Sequence, residues 1–215
     1  AENDTRSTYS SALNTQAVAT GVSIPSSGVI FAEDNVWVRT SSTFTGRVTI
    51  ASGRLASSSY STDIVIADNV LYADKNGNDA IGLIAEDSVI IAPYAIPQSG
   101  NFTFEVDAAV IAQSGSVTYP DEYRSNGNCT KGWVNSGQKL LFYGSISARQ
   151  TWTWTWQRGG SCGLSAYDSS SGYYISGVKN NTTQYDYSMQ YAPPPSFPIT
   201  STYNILSWRE VLTKP

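Results

Sequence analysis

Residues 28–38, GVIFAEDNVWV, carry the clearest indication of the fold. An apolar run leads into a small residue, Ala32, which is followed by polar residues and then by alternating apolar ones. Val, Ile and Phe are typical of strands that lie half buried on a pleated surface. The stretch therefore predicts two short strands separated by a bend.

Five further segments repeat this pattern. They are VTIASGRLAS from Val48, IVIADNVLYA from Ile64, GLIAEDSVII from Gly82, AVIAQSGSVTY from Ala109 and LLFYGSISARQ from Leu140. The small residues stand at Ala32, Ala51, Ala67, Ala85, Ala112 and Gly144, and the first four recur at intervals of 16 to 19 residues. Units this short are below the length of helical repeats, and their composition indicates strands.

An all-β, right-handed parallel β-helix of about six turns is the fold that this repeat predicts. Each turn would contribute short strands that stack on the next turn about 4.8 Å away, because one turn cannot bury its own apolar face. Right-handedness follows from the general rule for parallel crossovers. A β-sandwich is the alternative, since regularly spaced strands also suit it, but it gives no reason for the recurring small residue.

Three regions follow from this interpretation: an N-terminal segment at 1–27, the β-helix turns at 28–150 and a C-terminal capping region at 151–215. Residues 7–20 predict an amphipathic helix over the first turn, with an extended strand as the alternative. The C-terminal region is aromatic, rich in proline and predicted to be irregular. Its YAPPPSFP stretch at 191–198 predicts polyproline II running along the surface.

Composition excludes several classes of function. Only 14% of the 215 residues are charged, the net charge is -4 and no cluster of Lys and Arg occurs, so nucleic acid is not an expected partner. No apolar stretch approaches the length of a membrane span, so we expect no membrane contact by these residues. The first residue, Ala1, is expected to be a processed terminus or a fragment boundary.

The two cysteines, Cys129 and Cys162, lie in segments rich in Gly, Ser and Asn. In an exported chain, two loop cysteines predict a disulfide that restrains the loops. A pair of free thiols in a cytosolic protein is the alternative.

As an ordered series, the segments of this chain resemble exported bacterial proteins with PilX-type, type IV pilus-assembly-like N-termini. The segments that carry the resemblance are GVIFAEDNVWV (28–38), GRVTIAS (46–52), DIVIADNVLYAD (63–74), IGLIAEDSVIIAP (81–93), DAAVIAQSGSV (107–117), YGSISARQ (143–150) and the closing YAPPPSFP and YNILSWREV. The resemblance implies a β-solenoid ectodomain behind a membrane-inserted, pilin-like helix, and it implies no catalytic residues. The family's hydrophobic N-terminal segment does not occur within these residues. The TWTWTW run and the cysteines also depart from the family pattern.

Zero histidines removes the commonest general base and most zinc sites, which leaves carboxylate chemistry. The acids near the predicted bends are Glu33, Asp34, Asp68, Glu86 and Asp87, and stacked turns would align them in a column. Such a column predicts a solvated edge, a calcium site or the paired acids of a polysaccharide-active enzyme. The column contains no Lys or Arg of the kind that a lyase needs.

A second set of acids and amides lies in DKNGND at 74–79. Asp74, Asn76, Asn78 and Asp79 are calcium candidates, but the twelfth position, where an EF-hand places Glu, is Ala85. The segment is therefore predicted to be a turn. We assign no metal site and no cofactor.

Alternation in TWTWTW predicts one strand with Trp152, Trp154 and Trp156 on a single face. Together with Tyr173 and Tyr174 they are the candidate site for a glycan or a partner protein, because flat amphipathic rings suit both. The alternative is that the indoles cover the end of the core.

These observations predict a non-catalytic extracellular module, structural or adhesive, associated with the cell surface or a pilus. Its partners would be pilus proteins, cell-surface proteins or glycans, and we do not expect an enzyme. Two alternatives remain open: a carbohydrate-binding module, and a polysaccharide-active β-helix that works as a glycoside hydrolase or lyase.

Overall fold

The computed structural model describes residues 21–55, 61–97, 99–121 and 129–198, which form β-strands and one short 3-10 helix at Tyr187–Gln190. In chain order the strands are β1 (Val29–Ala32), β2 (Val36–Val38), β3 (Arg47–Ser52), β4 (Ile64–Ile66), β5 (Ala80–Ala85), β6 (Val89–Ile91), β7 (Phe102–Ala112), β8 (Val117–Thr118), β9 (Gly132–Trp133), β10 (Gln138–Ala148), β11 (Trp152–Thr153), β12 (Thr155–Arg158), β13 (Ala166–Asp168), β14 (Tyr173–Val178) and β15 (Asn180–Tyr185). The all-β prediction is confirmed. The helix predicted at 7–20 lies outside the described residues.

Two parallel sheets dominate the fold. Sheet A has the order β1-β3-β5-β7-β10-β15, and sheet B has the order β2-β4-β6-β8-β11. From β1 to β8 the chain alternates between them, and each return adds the next strand to the same edge of the sheet. This parallel pairing differs from the antiparallel sheets of the β-sandwich alternative. A smaller sheet C contains β12, β14 and β13 in antiparallel pairing, with β9 parallel to β14.

The register of sheet A corrects part of the predicted repeat. One column of paired residues contains Ala32, Ser52, Ala85, Ala112 and Ala148. Three of the predicted small residues belong to it, but Ala51 precedes it by one position, Ala67 follows β4 in sheet B, and Gly144 pairs with Ala108. The error arose because strands of both sheets have the same apolar composition, so a sheet B strand resembled the start of a new unit.

The core lies between sheets A and B. Side chains that are 0% exposed come from both sheets and include Ile64, Ile66, Leu83, Ile91 and Val110. Removing each such side chain from water contributes roughly 1.5–3 kcal/mol to folding. Burial of every second residue on a strand is the reason that the apolar alternation in the sequence predicts these strands.

A ladder of polar side chains stacks at the corner between the two sheets. The Asn35 side-chain oxygen accepts a hydrogen bond from the Asp63 N–H (2.8 Å), and the Asp63 carboxylate accepts one from the Ser88 N–H (2.9 Å). The Ser88 hydroxyl accepts from the Ser116 N–H (3.1 Å), and Ser116 accepts from the Thr151 N–H (3.3 Å). Each corner N–H thus has a partner where the strand ladder ends, which satisfies its hydrogen-bonding requirement.

The region after residue 150 is more regular than predicted, since it holds β11 to β15. Beyond β15, residues 186–198, which we call the strap, cross the outer face of sheet A towards β1. Arg47, at the start of β3, holds the strap through hydrogen bonds from its guanidinium to the carbonyl oxygens of Ala192 and Pro193. The same side chain donates to Gly77 O at 2.9 Å.

The strap lies so close to sheet A that small side chains are required beneath it. The Thr49 hydroxyl donates to Pro195 O, and Thr49 is only 1% exposed. A Cβ on Gly82 would lie 2.6 Å from the Phe197 ring and 3.0 Å from Pro194. Glycine at position 82 therefore permits a close approach that any other residue would oppose. The proline-rich stretch runs along the surface, but the prediction of polyproline II is wrong at its end, because the Phe197 N–H donates to Pro194 O at 3.1 Å and Ser196 has a φ of 53°, which makes a turn.

Candidate functional site

The outer face of sheet A carries a cleft of about 260 Å³ over β7, β10 and β15. Because the three strands pair in register, Glu105, Leu141 and Thr182 form one row of the cleft. Gln184 and Tyr143 stand side by side in the next row. Carboxylate, amide and hydroxyl groups thus border an apolar floor, so the cleft offers hydrogen-bonding groups beside an apolar surface.

Lys75, from the loop before β5, closes one side of this cleft through ion pairs. Its ammonium lies 2.8 Å from the Asp107 carboxylate, contacts Glu105 as well, and stands 4.7 Å from the centre of the Tyr143 ring. Asp107 is 1% exposed and also accepts a hydrogen bond from the Tyr72 N–H at 2.9 Å. One cation thus pairs with two carboxylates along one side of an open cleft.

Burial and pairing act in opposite directions on these groups. Burial raises the pKa of the Asp107 carboxyl, although the hydrogen bonds from Lys75 and from the Tyr72 N–H act to lower it. Partial burial acts to lower the pKa of Lys75, but its hydrogen bonds to Asp107 and Glu105 raise that pKa above its ordinary value. Lys75 therefore remains a cation at neutral pH, as the ion pairs require.

The strap also orients the aromatic wall of the cleft. The Tyr143 hydroxyl donates to Asp186 at 3.1 Å, and burial followed by this bond raises the pKa of Tyr143. Asp186 is 2% exposed and caps the 3-10 helix by accepting from the Ser188 N–H at 2.9 Å. Tyr185 and Tyr187 meet edge to face at 5.2 Å beside it, and both are exposed.

The predicted aromatic face does not form, and the prediction of one strand through TWTWTW is wrong. Trp152 belongs to β11 of sheet B and Trp156 to β12 of sheet C, because the chain bends between them at Trp154. Trp154 is 2% exposed and stacks on Phe142 at 5.6 Å. The Trp156 indole N–H donates to Tyr119 O at 2.8 Å. Trp154 therefore belongs to the core, which agrees with the alternative interpretation, whereas Trp156 is half buried.

The other predicted aromatic residues lie on β14. Tyr173 is 47% exposed, and Tyr174 is half buried against Tyr167 at 5.2 Å between ring centres. Trp152 is 52% exposed but lies in a different sheet. Tyr173 and Tyr174 follow each other in β14 and so point to opposite faces of sheet C, which they share with Trp156 but not with Trp152. Whether these residues bind a ligand stays a prediction.

The acids predicted to align do not form one column. The set comprises Glu33, Asp34, Asp68, Glu86 and Asp87. Glu33 and Glu86 lie at the corner that follows β1 and β5, with Gly53 between them, but Asp68 follows β4 in sheet B. Glu86 accepts hydrogen bonds from the backbone N–H groups of Arg54 (3.1 Å) and Thr62 (3.3 Å). It therefore supports the loop that joins β3 to β4.

Residues 74–79 form a turn, as predicted. Asp79 accepts from the N–H groups of Gly46 (2.7 Å) and Asp74 (2.8 Å), while Asp74 accepts from the Asn76 N–H (2.8 Å) and Asn76 from the Asn78 N–H (3.0 Å). These are the side-chain-to-backbone bonds that Asx turns make. In the part of the chain that the structure describes, no group of three or more His, Cys, Asp or Glu side chains is placed to hold a metal ion.

The predicted disulfide is confirmed: Cys129 and Cys162 are bonded, with a Cα–Cα distance of 5.3 Å. The free-thiol alternative is wrong. The bond joins the segment just before β9 to the loop between β12 and β13, and the Leu164 N–H donates to Cys129 O at 3.1 Å. It therefore fastens the two segments that border sheet C.

Sequence reasoning missed the cluster of Lys75, Glu105, Asp107 and Tyr143. Part of the signal was present, since FTFEVDAAV at 102–110 alternates apolar and acidic residues, which places Glu105 and Asp107 on one face of a strand. Lys75 gave no local signal, because its partners lie 30 residues or more along the chain.

Neither a protein-family model, a curated protein nor a solved structure matches this chain. The resemblance to PilX-type proteins therefore stays a prediction. Within the described ranges, no helix has the length and apolar character needed to cross a membrane.

Proposed function

We propose that this chain is a right-handed parallel β-helix that serves as an extracellular, non-catalytic structural or adhesive module at a cell surface or pilus. The observation that carries the proposal is the alternation of the chain between sheets A and B, with each strand in parallel register on its predecessor. Stacked units of this kind give a long, rigid body, a shape that suits the display of surfaces away from an anchor.

Two features support an extracellular location. The Cys129–Cys162 disulfide is of the kind that persists in oxidising compartments. Few charges and many Ser, Thr and Asn residues are also common on exported surface proteins.

The use that the fold makes of its acids supports a non-catalytic role. Glu86 binds backbone N–H groups, Asp63 belongs to the corner ladder, and Asp79 closes a turn. In the cleft, Lys75 pairs with both Glu105 and Asp107. A general acid and base would need carboxylates free to exchange protons with a substrate.

A saccharide-binding function is the second candidate, and the cleft is the observation that favours it. Leu141 supplies an apolar floor, while Glu105, Thr182 and Gln184 supply hydrogen-bonding groups at its border. Sugars present apolar ring faces and rows of hydroxyls, which match such a site. Pilus proteins and cell-surface proteins remain the other proposed partners.

The test combines adhesion with cleavage. Beads coated with the folded chain are expected to be retained on cell or glycan surfaces, and the chain should release no reducing ends or unsaturated products from neutral and acidic polysaccharides. Gln184→Ala should weaken retention on glycans if the cleft binds sugar, whereas Gln113→Ala, at an exposed position outside the cleft, should not. If the unchanged chain releases products and the Asp107→Asn variant does not, the non-catalytic proposal is contradicted.

A further inference from the structure

The strand β15 forms an exposed edge of sheet A. It pairs in parallel with β10, and among the described residues no strand pairs with its other side. Five of its six residues, from Asn181 to Tyr185, are exposed. A strand edge presents a row of backbone donors and acceptors that can pair with another chain.

The hydrogen bonding to β10 shows which backbone groups face away from it. Gly144 pairs with Tyr185, and the Asp186 N–H donates to Gly144 O at 3.1 Å. In a parallel ladder alternate residues direct both backbone groups to the same neighbour, so Thr182 and Gln184 point towards β10. The N–H and C=O groups of Thr183 and Tyr185 therefore point to the edge.

This edge lacks the features with which proteins usually block strand addition. Its sequence, NNTTQY, contains no charged residue and no proline. The charges that flank it are engaged elsewhere, because Lys179 pairs with Asp168 at 2.8 Å and Asp186 is 2% exposed. Short, uncharged segments of β-prone residues are those that pair most readily with copies of themselves.

We propose that β15 pairs in antiparallel orientation with β15 of a second copy of this chain, with the two-fold axis at Thr183. In this pairing the two Thr183 residues exchange N–H···O=C bonds, and Asn181 stands opposite Tyr185. Thr182 then stands opposite Gln184, so no like charges meet across the interface. A second copy offers an edge that matches this one in length and likewise lacks charge, and a closed two-fold dimer is the commonest homo-oligomer.

The dimer should be weak in dilute solution and significant where copies are crowded. A single pair of six-residue strands buries less than the area of a stable interface, so it belongs to the transient class. The exposed side chains of Tyr185 and Tyr187 would add contact area near its ends. On a densely covered surface, high local concentration would favour the paired form.

The test uses the whole chain and measures its mass by analytical ultracentrifugation from about 1 μM to about 1 mM. We expect reversible dimers, and Thr183→Pro should raise their dissociation constant at least about 10-fold because it removes both central N–H donors. Thr183→Val is the matched control: it loses the same hydroxyl, which accepts a 3.4 Å hydrogen bond from Trp154, but keeps the N–H. It should dimerise like the unchanged chain.

A second variant keeps the test decisive if the Thr183→Pro chain fails to fold. Thr182→Lys combined with Gln184→Lys leaves the backbone intact and places two Lys pairs directly opposite each other, so dimers should dissociate at low salt and return at high salt. A monomer at every concentration would overturn the proposal. So would dimers that neither variant weakens, or open-ended filaments, which require head-to-tail contact.

Discussion

Loss of the Arg47 guanidinium should release the strap while leaving the two main sheets folded. Arg47→Ala removes the donor that holds the carbonyl oxygens of Ala192, Pro193 and Gly77. The strap keeps other attachments, among them the hydrogen bond from Tyr143 to Asp186, the one from Thr49 to Pro195 and the packing of Phe197 over Gly82. The substitution thus affects the middle of the strap, between its anchor on β10 and its end near β1.

The expected effect follows from the number and kind of bonds lost. A hydrogen bond from a charged donor contributes about 1.5–3 kcal/mol, and three bonds that share one half-buried guanidinium contribute less than their sum. A loss of about 3 kcal/mol would raise the population of the open strap about 100-fold. Arg47→Lys should recover a minor part, because one ammonium cannot reproduce the geometry of the guanidinium.

Native-state hydrogen exchange measures that population directly. The amides to follow are those of Met189, Ala192 and Phe197, each of which donates a hydrogen bond within the strap. Their exchange should accelerate about 100-fold in Arg47→Ala, while amides of β5 change little. The control is Arg39→Ala, at an exposed arginine outside the strap. Unchanged exchange in the strap, or equal acceleration throughout the chain, would refute the reasoning.

Three further predictions concern the core, the disulfide and the response to acid. Trp154→Ala should lower the free energy of unfolding, measured in urea, by about 3–5 kcal/mol because Trp154 is buried. Trp152→Ala, at a 52% exposed position, is the control and should lower it by less than about 1 kcal/mol. Equal losses in the two variants would contradict the assignment of Trp154 to the core. The Cys129–Cys162 disulfide closes a loop with a sequence separation of 33, so its reduction should lower the free energy of unfolding by about 3–4 kcal/mol. Urea unfolding with and without reductant measures this loss, and the Cys129→Ser/Cys162→Ser variant, which should not respond to reductant, is the control. Hydrogen bonds from Lys179, and to a smaller extent from Ser171, hold the pKa of the Asp168 carboxyl below its usual range. The ionised carboxylate therefore stabilises the folded chain above about pH 4, and this stabilisation is lost as the pH falls. Asp168→Asn should therefore flatten the fall of Tm below about pH 4, and an unchanged slope would contradict the assignment.

The sequence predicted strands and their parallel stacking better than it predicted which strands follow one another in a single passage through sheets A and B. The units at 28–38, 82–91 and 109–119 each correspond to one strand of sheet A followed by one of sheet B. The units at Val48 and Ile64 are instead β3 and β4 of a single passage through both sheets. Loops of different length separate the strands, and since the strands of both sheets need the same apolar side chains, composition alone could not distinguish them.

The tryptophan run shows a different limit. Trp152 follows β10 as Val117 follows β7, and β11 pairs with β8 so that Trp152 lies opposite Val117. Trp152 thus continues a column of sheet B that the earlier strands fill with the aliphatic side chains of Val117, Val89, Ile64 and Val36. Alternation indicates which residues share a face, but it carries no information about a bend, so the transfer of Trp156 to sheet C could not be inferred.

The strap accounts for the position of the cleft. Near the start of β1 and along β3 and β5, the strap packs on the outer face of sheet A, where it meets Gly28, Gly82 and the buried Thr49, whereas Phe31 at the other end of β1 is 48% exposed. Along β7, β10 and β15 the same face is open, and there the outward residues are Glu105, Leu141 and Gln184. Asp186, where the strap begins, marks the boundary by binding Tyr143. The strap therefore divides the outer face into a part on which it packs, around Thr49 and Gly82, and a part that stays open, where polar groups border Leu141.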